Sequence, residues 1–224
     1  MYSAKLMNKQ MDTVYGLYLP EYIIPAPEVQ TNYVEIVGKD GSIDKTAPDG
    51  VVRYKDREWD LVFKKTGNAV SADDLQSLSS SLNNDLHGRK GEVIFDDDPT
   101  YKWIGRVFVQ DVSCENNGLL IANILFISEP YKQKLTDISE VVTLSQTAQT
   151  IVLTNGRKPL IPKIIVSGND SSAVLVFTVK GHEYTLQLST GTWVATDLIL
   201  FEGTTNVVAT GSGTLTITYP EYSL

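Results

Sequence analysis

The most regular pattern of apolar positions in the first half of the chain predicts one amphipathic helix. Its apolar face consists of Leu75, Leu78, Leu82 and Leu86. Spacings of three and four residues align these leucines along one side of a helix. Ser71 and Asp74 have the spacing of a capping box, and Gly88 follows as a left-handed terminator. We therefore expect a helix between Ser71 and Gly88 that packs its leucine face on a sheet.

Short runs with β character surround this helix. The predicted strands cover residues 34–36, 51–64, 92–95, 103–112 and 119–128. The last run is apolar on both faces, with Leu120 and Phe126 on one and Leu125 and Ile127 on the other. Such a strand is buried on both faces within its own chain, which is the simpler interpretation, or one face contacts another subunit.

The second half of the chain predicts an antiparallel β-sandwich. Its β-type runs cover residues 149–154, 162–167, 173–180, 183–189, 193–200, 206–210 and 214–219. Turn residues separate these runs at intervals typical of such sandwiches. At one of these turns, Gly181 supplies the positive φ that a tight hairpin needs. The sequence therefore predicts a mainly β protein with one helix.

Charge is distributed unevenly along the 224 residues and suggests two domains. Residues 1–143 contain 15 Lys and Arg against 22 Asp and Glu, whereas residues 144–224 contain 4 against 5. We place a domain boundary there, which gives an N-terminal domain of residues 1–143 and a C-terminal domain of residues 144–224. A net charge of −8 argues against binding to nucleic-acid phosphates, because such binding depends on excess Lys and Arg.

Cysteine content and hydropathy argue against a disulfide-stabilised protein and against a membrane protein. Cys114 is the only cysteine, so no intrachain disulfide framework is possible, and we expect its thiol to be buried on a strand. Neither a signal peptide nor a membrane-spanning stretch is evident. We expect a soluble protein without membrane contacts.

Candidate catalytic chemistry is sparse, and we expect no enzyme activity, no cofactor and no metal site. His87 follows the predicted helix and His182 lies at a predicted hairpin tip, both positions typical of structural histidines. The Asp96-Asp97-Asp98 run lacks the spacing of a calcium loop and is better explained as a capped turn.

One aromatic residue in the predicted sandwich has two interpretations. Trp193 packs as a core residue between the two sheets, or it is exposed and stacks on a sugar ring. We favour the core position, because no cluster of polar residues accompanies Trp193 in the sequence.

Several stretches, in order along almost the whole chain, resemble the distal tail proteins (Dit family) of long-tailed phages and prophages of Gram-positive bacteria. Residues 33–44 resemble a family stretch with the sequence VEIPGRDGSLD, with Val37 in place of Pro and Lys39 in place of Arg. The other matching stretches are residues 18–27, 86–90, 95–99, 101–107, 129–132, 201–206 and 211–215.

This resemblance implies an α+β N-terminal domain that forms a hexameric ring and a C-terminal galectin-like sandwich. It further implies a hub at the virion tail tip, joined to the tail tube protein, a tail-associated protein and a receptor-binding protein, with DNA passing through the lumen. The alternative is an adhesion subunit whose sandwich binds cell-wall carbohydrate through Trp193.

Two features of the first domain suggest interface residues for the implied ring: an aromatic pair beside an Arg, and the strand that is apolar on both faces. An exposed aromatic pair beside an Arg is a common composition of an interface hot spot. The candidates are Tyr101, Trp103, Arg106, Leu120 and Phe126. For Trp103, burial within the subunit is an equally good interpretation.

Overall fold

Antiparallel β-strands make up most of the chain, as the sequence predicted. The computed structural model describes residues 2–65, 71–115 and 118–224. These residues form two units, Met1–Lys132 and Gln133–Leu224, each with its own hydrophobic core. Within the described ranges there are two helices, of which only the longer was predicted.

The first unit contains the strands β1 to β8 and both helices, and strand β9 crosses the boundary between the units. The strands are β1 (Ala4–Leu6), β2 (Lys9–Gln10), β3 (Tyr33–Glu35), β4 (Ser42–Asp44), β5 (Arg57–Lys65), β6 (Lys90–Phe95), β7 (Tyr101–Cys114), β8 (Leu120–Ser128) and β9 (Lys132–Lys134). The helices are α1 (Met11–Tyr15) and α2 (Ala72–Asp85).

Six strands of the first unit form a sheet that closes on itself. Their order is β2-β1-β6-β7-β8-β5, with every neighbour antiparallel. Two isolated bridges connect the β1 side of this sheet to β5 through residues 18 and 19: Leu19 pairs with Tyr2 beside β1, and Tyr18 pairs with Lys64 on β5. Their backbone hydrogen bonds measure 2.7–3.0 Å. Residues 18 and 19 thus connect the two sides of the sheet, and we call the resulting structure, with the core of the unit inside it, the barrel.

Helix α2 forms as the leucine pattern predicted. Ser71 Oγ accepts a hydrogen bond from the Asp74 backbone N–H at 3.1 Å, and the Asp74 carboxylate accepts one from the Ser71 N–H at 3.0 Å. This capping box satisfies N–H groups that the first turn leaves without partners. Leu78, Leu82 and Leu86 are buried in the barrel core. The helical leucine face therefore covers part of the barrel.

An extended arm leaves the barrel between residues 23 and 56. Strands β3 and β4 form a hairpin within it, at the turn that the sequence predicted. Closer to the barrel, the Lys55 N–H donates to the Glu28 carbonyl at 2.8 Å, and the Lys45 N–H donates to the Asn32 carbonyl at 2.7 Å. The arm is thus a ladder of local hydrogen bonds.

The second unit is the predicted antiparallel sandwich. Its strands are β10 (Ile138–Leu144), β11 (Gln149–Asn155), β12 (Lys163–Val179), β13 (His182–Ser189), β14 (Gly191–Val194), β15 (Gly203–Tyr219) and β16 (Tyr222–Ser223), of which all but β16 form the sandwich sheet. The long strands β12 and β15 pair with each other and change register between Ser167 and Ser172. On one side of this change, β15 pairs with β10 and β12 pairs with β14, which gives one layer of the sandwich. On the other side, β15 pairs with β11 and β12 pairs with β13, which gives the second layer. Both layers share one core.

Several sequence expectations differ from this structure, and the predicted strands 51–64 and 193–200 are only partly formed, as β5 and β14. The units divide at Lys132 and Gln133, whereas the charge distribution placed the boundary between residues 143 and 144. Strand β10 accounts for the difference, because it pairs with residues 213–219 of β15 and so belongs to the second unit. In addition, Cys114 is exposed at the end of β7 rather than buried.

Candidate subunit interface

Strand β8 has one buried face and one partly exposed face. The inward residues are Leu120, Ala122, Ile124 and Phe126, none more than 1% exposed. The outward residues Leu125 and Ile127 are only half-buried. The core of the subunit therefore accounts for one apolar face of this strand, and only the other face remains available to a second subunit.

Three of the five candidate interface residues are core residues. Trp103 is 4% exposed, Leu120 is 1% exposed and Phe126 is 0% exposed. Trp103 packs edge-on against Trp59, with ring centroids 4.8 Å apart. Because alternate residues of a strand point to opposite faces, these side chains are directed into the barrel and cannot contact another folded subunit.

The outward surface of β5, β7 and β8 is apolar at its centre. Its half-buried apolar residues, which we call the outer face, are Val62, Phe108, Ile121, Leu125 and Ile127. Leu125 lies between Asp60 on β5 and Phe108 on β7 in the strand pairing. Charged residues thus border an apolar centre, which is the arrangement found in many protein interfaces.

The two remaining candidates occupy different positions relative to the outer face. Arg106 is exposed, pairs with Ile127 and donates a hydrogen bond to the Gly88 carbonyl. Together with Phe108 and Ile127 it lines a shallow groove of 330 Å³. Tyr101 precedes the part of β7 that pairs with β8, and Lys132 Nζ lies 4.3 Å from its ring centroid. Arg106 therefore borders the outer face, and Tyr101 does not.

The arm carries a second apolar surface, which the sequence patterns did not predict. Its exposed large apolar side chains are Ile23, Ile24, Tyr33, Val34, Ile36, Val37 and Val52. Val37 is 104% exposed and Ile23 is 84% exposed, so neither packs on its own subunit. A concentration of exposed apolar side chains in one segment indicates an interaction site.

Ion pairs on the arm contribute little to its order. Lys55 Nζ lies 2.6 Å from a Glu28 carboxylate oxygen, and Arg53 binds Asp49 at 2.7 Å. The hydrogen bond from Arg53 holds the pKa of Asp49 well below its usual range. Exposed pairs of this kind contribute little to stability, because water screens the two charges. The arm therefore depends on its backbone ladder and on its attachment to the barrel.

The base of the arm is attached to the barrel through an aromatic stack. The Tyr22 ring lies parallel to that of Phe95, with centroids 4.4 Å apart. Its hydroxyl donates to the Asp97 carboxylate at 2.7 Å. Burial and this hydrogen bond raise the pKa of Tyr22, so its hydroxyl keeps its proton and remains a donor. This contact holds the chain in place immediately before the arm begins.

The Asp96-Asp97-Asp98 run forms a turn with structural partners. Besides the bond between Asp97 and Tyr22, Asp98 binds Lys132 at 2.6 Å, and its N–H donates to the Phe95 carbonyl at 3.1 Å. Across residues 2–65, 71–115 and 118–224, no three His, Cys, Asp or Glu side chains are grouped closely enough to hold a metal ion.

The two histidines lie in separate units. The Val109 N–H donates to His87 Nδ1 at 3.2 Å, which links the end of α2 to β7. His87 also meets Phe108 of the outer face edge-on, with ring centroids 6.1 Å apart. His182 is exposed and begins β13 at the predicted hairpin.

Trp193 is exposed on strand β14 rather than packed between the sheets. It is 38% exposed, and its indole N–H donates to the Ser189 carbonyl at 2.9 Å. Ser189 also lines an open polar cleft. The other residues of that cleft are Gly168, Asn169, Asp170, Ser171 and Thr190. Aromatic side chains with a few polar groups nearby are a common composition of small-molecule binding sites.

Comparison with known proteins gives a structural match without a sequence match. No family model and no curated protein sequence matches the chain. The fold is similar to the crystal structure of the Dit protein (gp 19.1) of phage SPP1, with a TM-score of 0.71 over 100% of both chains and 14% sequence identity. That protein is described as a paradigm of the hub adsorption apparatus in phages that infect Gram-positive bacteria. The predicted fold is therefore confirmed.

No helix within the described residues is long and apolar enough to cross a lipid bilayer.

Proposed function

We propose that this chain, which has the fold of the SPP1 Dit protein, is a structural subunit of a phage tail hub. The observation that carries the proposal is the match of both units over 100% of each chain at a TM-score of 0.71. The sequence stretches that resemble distal tail proteins point to the same role independently. In this role the protein is a scaffold without catalytic activity, part of the virion tail tip.

A closed hexameric ring is the assembly that we propose for this hub. A cyclic ring larger than a dimer needs two different surfaces on each subunit, because each contact joins one surface to the other on the neighbour. The arm and the outer face are two such surfaces, and both expose apolar side chains on a single subunit.

We propose that the arm of one subunit lies against the outer face of the next. Val37 and its neighbours on the arm have too few contacts within the subunit to be buried by folding. The outer face offers Phe108, Leu125 and Ile127 as apolar partners of similar size. Burial of apolar area at about 25 cal/mol per Å² would stabilise such a contact.

The hub would link the tail tube protein to a tail-associated protein and a receptor-binding protein. In this arrangement DNA passes through the lumen of the ring without specific binding. The excess of acidic over basic residues in residues 1–143, 22 against 15, suits this role because it repels a polyanion.

Mass measurement by light scattering over a concentration series tests the ring. We expect a species of six times 24.7 kDa, about 148 kDa, with a central hole in negative-stain images. A monomer at every concentration, including in the presence of the partner tail proteins, would contradict the proposal.

The variant Val37→Asp tests the arm contact. Since Val37 is fully exposed on the single subunit, the change should leave the folding of the subunit unaffected. In the contact, however, the new carboxylate would be buried without a partner, which costs about 3–5 kcal/mol, as when one partner of a buried ion pair is removed. We expect the measured mass to fall towards 24.7 kDa.

A matched control is Val141→Asp, the same change at a residue that is 62% exposed in the second unit. This control should keep the mass of the unmodified protein. If both variants kept the ring, or if both dissociated, the arm would not be the specific contact.

A second candidate function is carbohydrate binding by the second unit. The observation in its favour is the exposed position of Trp193 beside a polar cleft. Calorimetric titration with host cell-wall polysaccharide tests it, with Trp193→Ala as the variant and Val194→Ala as an exposed neighbouring control. Binding that is lost only in Trp193→Ala would favour this function, and no heat of binding for the unmodified protein would dismiss it.

A further inference from the structure

A buried arginine lies where the arm joins the barrel. Arg57 is the first residue of β5, follows the last residue of the arm directly, and is 4% exposed. Its Nη1 donates to the Pro25 carbonyl at 2.7 Å, and its Nε donates to the Pro130 carbonyl at 2.8 Å. One guanidinium therefore holds the start of the arm, the end of the arm and the segment after β8 together.

The surroundings of Arg57 are unusual for a buried cation. The guanidinium carbon lies 4.8 Å from the centroid of the Trp103 ring, which attracts a cation through its π face. Both described hydrogen-bond acceptors are neutral backbone carbonyls, and its Nη2 has no partner among the described residues. Burial lowers the pKa of Arg57, although an arginine side chain remains charged at neutral pH.

These features argue against a role in stability alone. A charge without a neighbouring carboxylate costs desolvation energy, and apolar residues in such places often stabilise a protein equally well or better. What an apolar residue cannot do is hold two carbonyl groups in fixed directions, since only the planar guanidinium offers several donors in one plane. The value of Arg57 therefore lies in the geometry that it imposes.

We propose that Arg57 is a clasp that fixes the direction in which the arm leaves the barrel. Pro25 and Arg57 bracket the arm, so a bond between them closes a loop of 32 positions at its base. The Tyr22 contacts and the edge-on contact between the Tyr54 and Tyr131 rings, with centroids 5.9 Å apart, also hold the base of the arm. The bond between Arg57 and Pro25 differs from them because it joins the two ends of the arm to each other, so its loss would let the arm pivot. The consequence for assembly rests on the proposed ring, in which the arm must point at the neighbouring subunit.

The test compares Arg57→Met with Arg57→Lys in the full chain. Methionine keeps the apolar contact with Trp103 but removes both hydrogen bonds, whereas lysine keeps the charge and one donor group. Limited digestion with chymotrypsin at Tyr33, which is 58% exposed on the arm, measures how far the arm is released. We expect cleavage in Arg57→Met to accelerate about tenfold, the factor implied by losing a hydrogen bond to a charged donor, with Arg57→Lys in between.

Arg53→Met is the matched control, because it removes an exposed arginine of the arm whose partner is Asp49. It should leave cleavage at Tyr33 unchanged. Equal cleavage of Arg57→Met and the unmodified protein would overturn the proposal. If urea unfolding showed that Arg57→Met also destabilises the whole first unit, this result would overturn the proposal too, since Arg57 would then be an ordinary core residue.

The mass of the assembly separates this inference from the proposed function. If Arg57→Met released the arm and also dissociated a ring that the unmodified protein forms, both proposals would be supported. If the unmodified protein formed no ring but the arm was still released in Arg57→Met, the ring would fail and the clasp would stand.

Discussion

The assignment of the two faces of strand β8 leads to a specific prediction about adjacent residues. Phe126 points into the barrel at 0% exposure and packs near Trp59, with ring centroids 6.3 Å apart. Leu125 points outward and pairs with Asp60 across the strands. We predict that Phe126→Ala destabilises the first unit strongly, and that Leu125→Lys leaves the folded subunit almost unchanged.

The magnitudes follow from burial. A buried Phe→Ala change costs about 3–5 kcal/mol through lost apolar contact and the cavity left behind. With a urea dependence of about 2 kcal/mol per M, the unfolding midpoint of the unit should fall by about 2 M. Leu125→Lys loses part of an apolar side chain but gains an opposite charge beside Asp60, worth about 0.2–1 kcal/mol. Its effect on subunit stability should therefore be small.

Urea unfolding followed by tryptophan fluorescence separates the two units. Trp59 and Trp103 belong to the first unit, and Trp193 is the third tryptophan of the chain. In a Trp193→Phe background, the signal reports on the barrel alone. If Phe126→Ala shifted the midpoint by less than about 0.5 M while Leu125→Lys unfolded the unit, Leu125 and not Phe126 would be the core residue of β8.

Two further predictions concern other parts of the barrel. Gly105→Ala should destabilise the first unit by about 1–3 kcal/mol, because an added Cβ would lie 2.2 Å from the Ile127 carbonyl oxygen and the backbone would have to move; urea unfolding measures this, and an unchanged midpoint would contradict it. Asp85→Asn should make stability less sensitive to acid. Hydrogen bonds from Lys9 and, to a smaller extent, Tyr15 lower the pKa of Asp85 in the folded protein. The contribution of Asp85 to the free energy of unfolding is therefore present above its unfolded-state pKa of about 4, and it is lost as the pH falls through its pKa in the folded protein. The difference in urea midpoint between the unmodified protein and the variant should be larger at pH 7 than at about pH 2.5. An equal difference at both pH values would show that ionised Asp85 does not stabilise the fold.

Features encoded by neighbouring residues could be predicted from the sequence. The capping box of Ser71 and Asp74, the leucine face of α2 and the β3–β4 hairpin involve residues within a few positions of each other. Such signals depend on local backbone geometry and not on distant partners. The same applies to most strands of the sandwich, although β12 and β15 each joined two predicted runs into one strand.

The residues of the candidate interface were harder to predict from the sequence than these local features. Leu120 and Phe126 were chosen for their apolar character, but Leu125 and Ile127 on the same strand are equally apolar. Periodicity assigns residues to two faces without saying which face points inward. Trp193 raised the same difficulty, since an aromatic residue on a short edge strand has no local signal that distinguishes core from surface.

Alternating apolar positions and turn residues were sufficient to predict the mainly β class, the capped helix, the hairpin and the antiparallel sandwich. Three features could be seen only in the folded chain: Tyr18 and Leu19 close the barrel, β10 belongs to the second unit, and the arm stands away from the core. The physical reason is that these features arise from pairing between strands that are distant in sequence. Closure of the sheet determines which apolar side chains lose contact with water, and no short stretch of residues contains that information.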